Sequence, residues 1–127
     1  MALKSDLVQV GFSEKEADWL GDTIDFDITA TGANQANAYA ITKTITFLTT
    51  VAAGTGVRLP LIKDFKGSFI KVINDAGANS VLVYPASGEQ IDAKAVNNPI
   101  EIEVNTLGAA YAKCFYKRST TQWVSST

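Results

Sequence analysis

Two hydrophobic periodicities divide this chain. Over residues 3–21, Leu3, Leu7, Val8 and Val10 recur at near-helical spacing until Gly11 interrupts them. Ser13-Glu14-Lys15-Glu16 then has the form of a capping box, in which the Ser13 hydroxyl accepts from the Glu16 backbone N–H and the Glu16 carboxylate reaches back to that of Ser13. Phe12 and Ala17 stand at the staple positions, and Gly21 suits a left-handed helix end. The pattern predicts a short N-terminal helical hairpin over residues 1–22. Helices this short are marginal alone in water. The hairpin must therefore dock Leu3, Leu7, Phe12, Trp19 and Leu20 on its own β domain or on another molecule.

After Gly21 the period falls to two. Ile24, Phe26 and Ile28 alternate with Asp25, Asp27 and Thr29, as in a half-buried strand. Residues 30–38 read as a loop, and Tyr39, Ile41, Ile45, Phe47 and Val51 share parity along one long, threonine-rich strand. Gly54-Thr55-Gly56 is a turn, and Pro60 marks an edge or a strand end. Ser68 to Ile73 and Ser80 to Tyr84 read as a hairpin joined by Asn74-Asp75-Ala76-Gly77-Ala78-Asn79. A turn at Ala86-Ser87-Gly88 leads to Ile91, then to Ile100, Ile102 and Val104, and a last pair of strands covers residues 109–116 and 122–124. About eight strands at intervals of roughly ten residues predict a mainly β fold, an antiparallel β-sandwich or barrel. The expected organisation is a helical appendage over residues 1–22 and a β domain over 23–127.

Composition narrows the function. A chain of 127 residues, 46% hydrophobic, supports one core without a disulfide or metal staple. The net charge of −2 comes from 11 basic and 13 acidic residues mixed along the chain, so no concentrated basic face predicts nucleic-acid binding. Lys63, Lys66 and Lys71, interleaved with Asp64 and apolar residues, read as solvated lysines. No run approaches the roughly 18 apolar residues of a membrane span. The N-terminus lacks a signal-peptide pattern, so the expectation is a soluble protein made in a cytoplasm.

Candidate chemistry is sparse. There is no histidine, which removes the commonest general base and metal ligand. Cys114 is the only cysteine, and its strand-like surroundings predict a buried, inert thiol. Asp25 with Asp27, and Glu101 with Glu103, are the nearest approaches to a catalytic carboxylate pair. Both stand at i and i+2 on polar strand faces and read as solvated surface. Asp22, Asp25 and Asp27 miss the spacing of a calcium loop. Gly54-Thr55-Gly56-Val57-Arg58 lacks the lysine and following helix of a phosphate loop. Trp19, Tyr39, Tyr84, Tyr111, Tyr116 and Trp123 read as core or interface residues, with sugar stacking as the lesser alternative. No catalytic residue, metal or cofactor is expected.

Several of these segments occur together in a recognisable order. Thr49-Thr50-Val51-Ala52-Ala53-Gly54-Thr55-Gly56-Val57-Arg58-Leu59-Pro60 is followed by Val72-Ile73-Asn74, Gly77-Ala78-Asn79, Val81-Leu82-Val83-Tyr84-Pro85-Ala86, Gly88 to Ile91 and Thr121-Gln122-Trp123. This order resembles a module of small virion structural proteins of tailed bacteriophages, over roughly residues 30–126. Leu7-Val8-Gln9-Val10-Gly11-Phe12, with Ala17 and Leu20, resembles the short helical start of some such proteins. It also resembles the Gly-Phe turn of ubiquitin-associated domains, whose third helix is missing here. The virion resemblance implies a β-rich, non-enzymatic protein on the capsid exterior, often a homotrimer, with the major capsid protein as partner. The expected function is head decoration (cement), and Leu3, Leu7, Phe12, Trp19 and Leu20 are the expected capsid-interface residues. The alternative is a head or tail fibre module that recognises host surface glycan.

Overall fold

The computed structural model describes residues 23–104 and 111–126. The predicted helical hairpin over 1–22 lies outside the described residues, and so do Leu3, Leu7, Phe12, Trp19 and Leu20.

The described chain is mainly β. Its strands are β1 Ile24–Thr29, β2 Tyr39–Ala40, β3 Ile45–Thr50, β4 Gly56–Arg58, β5 Phe69–Asn74, β6 Val81–Tyr84, β7 Gln90–Ile91, β8 Ile100–Ile102, β9 Tyr111–Lys117 and β10 Gln122–Ser126. They form a six-stranded sheet in the order β1-β3-β5-β9-β10-β7 and a four-stranded sheet in the order β2-β4-β6-β8.

The expected all-antiparallel arrangement is replaced by two mixed sheets. From β1 to β6 the chain alternates between the sheets, so each strand pairs in parallel with the strand two further along: β1 with β3, β3 with β5, β2 with β4, and β4 with β6. The chain thus coils in three stacked rungs. Antiparallel strands flank the last rung, β9 on β5 and β8 on β6. The predicted terminal pair is a true hairpin, β9 with β10, while β7 joins the far side of β10 in parallel.

Two sequence expectations change for the same reason. Residues 39–51 are not one strand, because the chain leaves β2 in the smaller sheet and crosses to β3 in the larger through residues 41–44. Residues 74–79 do not close a hairpin either; they form an arch between the two sheets. Its geometry is held by side chains: Asn74 Nδ2 donates to Asn79 O at 2.9 Å, and Ala76 N donates to Asn74 Oδ1 at 3.3 Å. Asn79 Nδ2 donates to Val51 O at 2.9 Å, which fastens this arch to the one beneath it. Gly77, at φ 76°, supplies the left-handed turn.

Between the sheets lies one apolar core. Leu48, Ile70, Val72, Phe115 and Trp123 of the larger sheet meet Val57, Val81, Val83, Ile100 and Ile102 of the smaller. Burying side chains of this size contributes about 1.5–3 kcal/mol each. The rungs must stack closely, and Gly56 is one reason they can. A Cβ there would stand 2.6 Å from the Leu82 carbonyl oxygen on the next strand of the sheet.

Candidate functional site

Burial alternates along β5: Ile70 and Val72 are buried, while Phe69 and Ile73 stand at the opposite parity with Lys71 between them. Register carries that outer parity across the sheet. Ile45 and Phe47 of β3 pair with Lys71 and Ile73, and Ile24 of β1 pairs with Ile45. On the other side Tyr116, Cys114 and Ala112 of β9 pair with Phe69, Lys71 and Ile73, and Val124 of β10 pairs with Tyr116. Two ring contacts confirm the alignment. Phe26 stacks on Phe47 with centroids 5.5 Å apart, and Phe69 meets Tyr116 at 6.0 Å.

The result is an apolar outer face across five neighbouring strands, roughly 20 Å wide at ordinary strand spacing. The core's partly buried apolar neighbours are Ile28, Tyr39, Phe65 and Ala76, all distinct from the residues of this face. Its aromatic rings reach solvent, with Phe26 63% and Tyr116 46% exposed. Lys71 is the single charge at these register positions, and no side chain among the described residues is hydrogen-bonded or ion-paired to it. The Cys114 thiol on the same face holds the Tyr116 phenol above its ordinary value. Apolar patches of a few hundred Å² on a folded domain commonly mark interaction sites.

Cys114 departs from expectation, since it is a half-buried free thiol on this face and not a core residue. Of the two carboxylate pairs, the first separates. Asp27, at φ 55°, sits where the β1–β3 register shifts, so the i, i+2 alternation breaks. Asp25 instead accepts a hydrogen bond of 2.9 Å from the Tyr39 hydroxyl. Burial first, and that carboxylate second, push the Tyr39 phenol up. Glu101 and Glu103 are both exposed and line a cleft of about 330 Å³ with Tyr111 and Lys113. Among the described residues no three His, Cys, Asp or Glu side chains gather as a metal site.

Arg58, which follows the glycine turn, is engaged with the chain itself. The Arg58 guanidinium donates to the carbonyl oxygens of Gln35 and Ala36 at 2.9 and 3.2 Å, which pins the preceding loop. Tyr84 and Trp123 belong to the interior, whereas Tyr111 and Tyr116 are exposed.

Glu89 is a buried acid that sequence reasoning missed. Its carboxylate accepts the Ile62 backbone N–H at 3.1 and 3.3 Å and ties the β4–β5 connection to the β6–β7 connection. Burial raises its pKa; the Ile62 N–H opposes that rise, as do the Trp123 indole and Lys63 more weakly. The indole Nε1 itself is buried with no partner in hydrogen-bond geometry.

The apolar outer face was missed too. Its signal is that both parities of β5, Phe-Ile-Lys-Val-Ile-Asn, are largely apolar. Such a run belongs to a strand covered on both sides. Comparison with protein-family models, curated proteins and solved structures finds no match for this chain.

Proposed function

We propose that this protein is a bacteriophage capsid decoration (cement) protein, which binds the outer face of the head and stabilises contacts between major capsid subunits. The observation that carries the proposal is the apolar outer face of the six-stranded sheet. A rigid, layered β domain that leaves one sheet face uncovered by described residues is built to complete itself against another surface. The order of motifs from residue 30 to 126, which resembles that of small virion structural proteins, supplies the kind of surface.

The work such a protein does is thermodynamic, not chemical. Contacts available only on the assembled lattice stabilise that lattice over its alternatives by mass action. A homotrimer would multiply them through effective concentration. The anchoring groups are the outer face and the apolar residues that precede it, Leu3, Leu7, Phe12, Trp19 and Leu20. The protein is made in the host cytoplasm and ends on the virion exterior, with no enzymatic role. Purified protein added to undecorated heads is expected to co-sediment with them and to raise their melting temperature. Heads that neither bind the protein nor gain stability defeat the proposal.

One observation favours a second reading. The exposed Tyr111 ring beside Glu101, Glu103 and Lys113 offers a stacking surface flanked by polar groups, which suits a sugar. A fibre module that holds host glycan would retain specific saccharides on a glycan array and lose them on Tyr111→Ala.

A further inference from the structure

Lys71 stands at the middle of the outer face. Its strand, β5, is the third of the five that carry the face, and its register partners are Ile45 on one side and Cys114 on the other. Phe69 and Ile73 stand two residues away along the strand at the same parity. The ammonium thus rises among apolar side chains and a thiol, with no hydrogen-bond or ion-pair partner among the described residues. Asp25 of β1 does not supply one, because its register partner Thr46 is buried and its carboxylate accepts the Tyr39 hydroxyl.

We infer that Lys71 sets the specificity of this face: it admits a partner surface that brings a carboxylate to the centre of an apolar contact, and it refuses a second copy of this chain. The first argument is charge. A lysine covered by an apolar surface loses its water, and a charge left unpaired there strongly opposes binding, so the occupant must carry an acid opposite it. Two copies packed about a two-fold axis through the middle of the face would instead set Lys71 against Lys71. The second argument is area. The face is about 20 Å across and about 17 Å along its strands, a footprint of roughly 350 Å². A stable complex takes about 800 Å² from each partner. Two copies shifted sideways to part their lysines would share still less than the footprint, so self-pairing has no good register.

This deepens the proposed function and rests on it for the identity of the partner, a capsid subunit that carries the carboxylate. Any homotrimer is left to other surfaces. The selection by charge is a property of the free protein and is tested there first.

Lys71→Glu puts a carboxylate at the centre of the same face, so the variant itself serves as the acid-bearing apolar surface. Cys114 is the only cysteine of the chain and sits beside Lys71, so a short bis-maleimide joins copies that meet through this face. A mixture of wild type and Lys71→Glu is expected to cross-link several-fold faster than either protein alone, and salt at about 1 M should cancel the gain. A mixture no faster than its faster component overturns the inference. The second arm uses undecorated heads. Lys71→Arg, which keeps the charge, is expected to bind them nearly as the wild type does, while Lys71→Met, with unchanged circular dichroism, binds at least about tenfold more weakly. A Lys71→Met protein that binds as tightly as the wild type would reduce the lysine to a solubility charge and overturn the inference. Wild-type protein that binds no heads defeats the proposed function instead, and the cross-linking rates alone then decide the inference.

Discussion

Thr46 and Glu89 are polar side chains buried at a cost, and each makes a distinct prediction. Thr46 is fully buried in β3, and its hydroxyl has no hydrogen-bond partner. An orphaned hydroxyl loses its water without replacement, a penalty of about 1–3 kcal/mol. Thr46→Val keeps the shape and removes the orphan, so urea denaturation is expected to show a gain of about 1 kcal/mol. Glu89 differs because it is ionisable. Its folded pKa is raised, chiefly by burial, so the fold holds its proton more tightly than the unfolded chain does. The stability linked to it is therefore fully present below the unfolded value and is lost as pH rises through the interval up to the folded one. Glu89→Gln removes that titration. The stability difference between variant and wild type is expected to move in favour of the glutamine as pH rises through this interval. A difference that stays flat across the titration would show that burial does not tune this carboxyl.

Element by element, legibility followed how local the determining contacts are. The hairpin of β9 with β10 was readable, since its short polar turn is contained in the segment itself; β1 was readable as a strand but not in its facing, because the register shift after Asp25 turns Ile28 to the core while Ile24 and Phe26 stay exposed on the outer face. Parallel stacking was not, because period two reports which face a residue takes and not which strand lies beside it. Tyr39 and Phe47 share parity yet lie in different sheets, and the bend between them carries no proline or glycine to announce it. The arch at residues 74–79 has the composition of a hairpin loop, and only the reach of Asn79 to Val51 O shows that it stacks on its neighbour. The outer face was half legible, as apolar residues at both parities of β5, but no alternation rule says what covers the second side. Asn74 is the arch's keystone, 2% exposed and bonded at both ends of its amide. Asn74→Ala is expected to cost about 2 kcal/mol, from the bonds lost and the partners stranded. A thermal melt within a degree of wild type would show that the glycine turn alone holds the arch.

For the whole molecule, stability and binding are expected to separate by sheet side. The inner side of the six-stranded sheet carries Phe115, fully buried, and truncating such a ring costs about 3–5 kcal/mol, a large share of a small domain's stability. The outer side carries Phe26 and Tyr116, both well exposed, where substitutions ordinarily change stability by no more than about 0.5 kcal/mol. If the outer face is the capsid anchor, its aromatics are its centre, and each removed anchor weakens binding by about 2 kcal/mol, or roughly 30-fold. A Phe26→Ser/Tyr116→Ser variant is therefore expected to unfold at nearly the wild-type urea concentration while its affinity for undecorated heads falls by two to three orders of magnitude, on the order of 4 kcal/mol. Phe115→Ala should reverse the pattern, lowering the unfolding midpoint sharply while the remaining folded fraction still binds. Equal binding by the outer-face variant and the wild type would detach the apolar face from the capsid and leave the residues before Thr23 as the anchor.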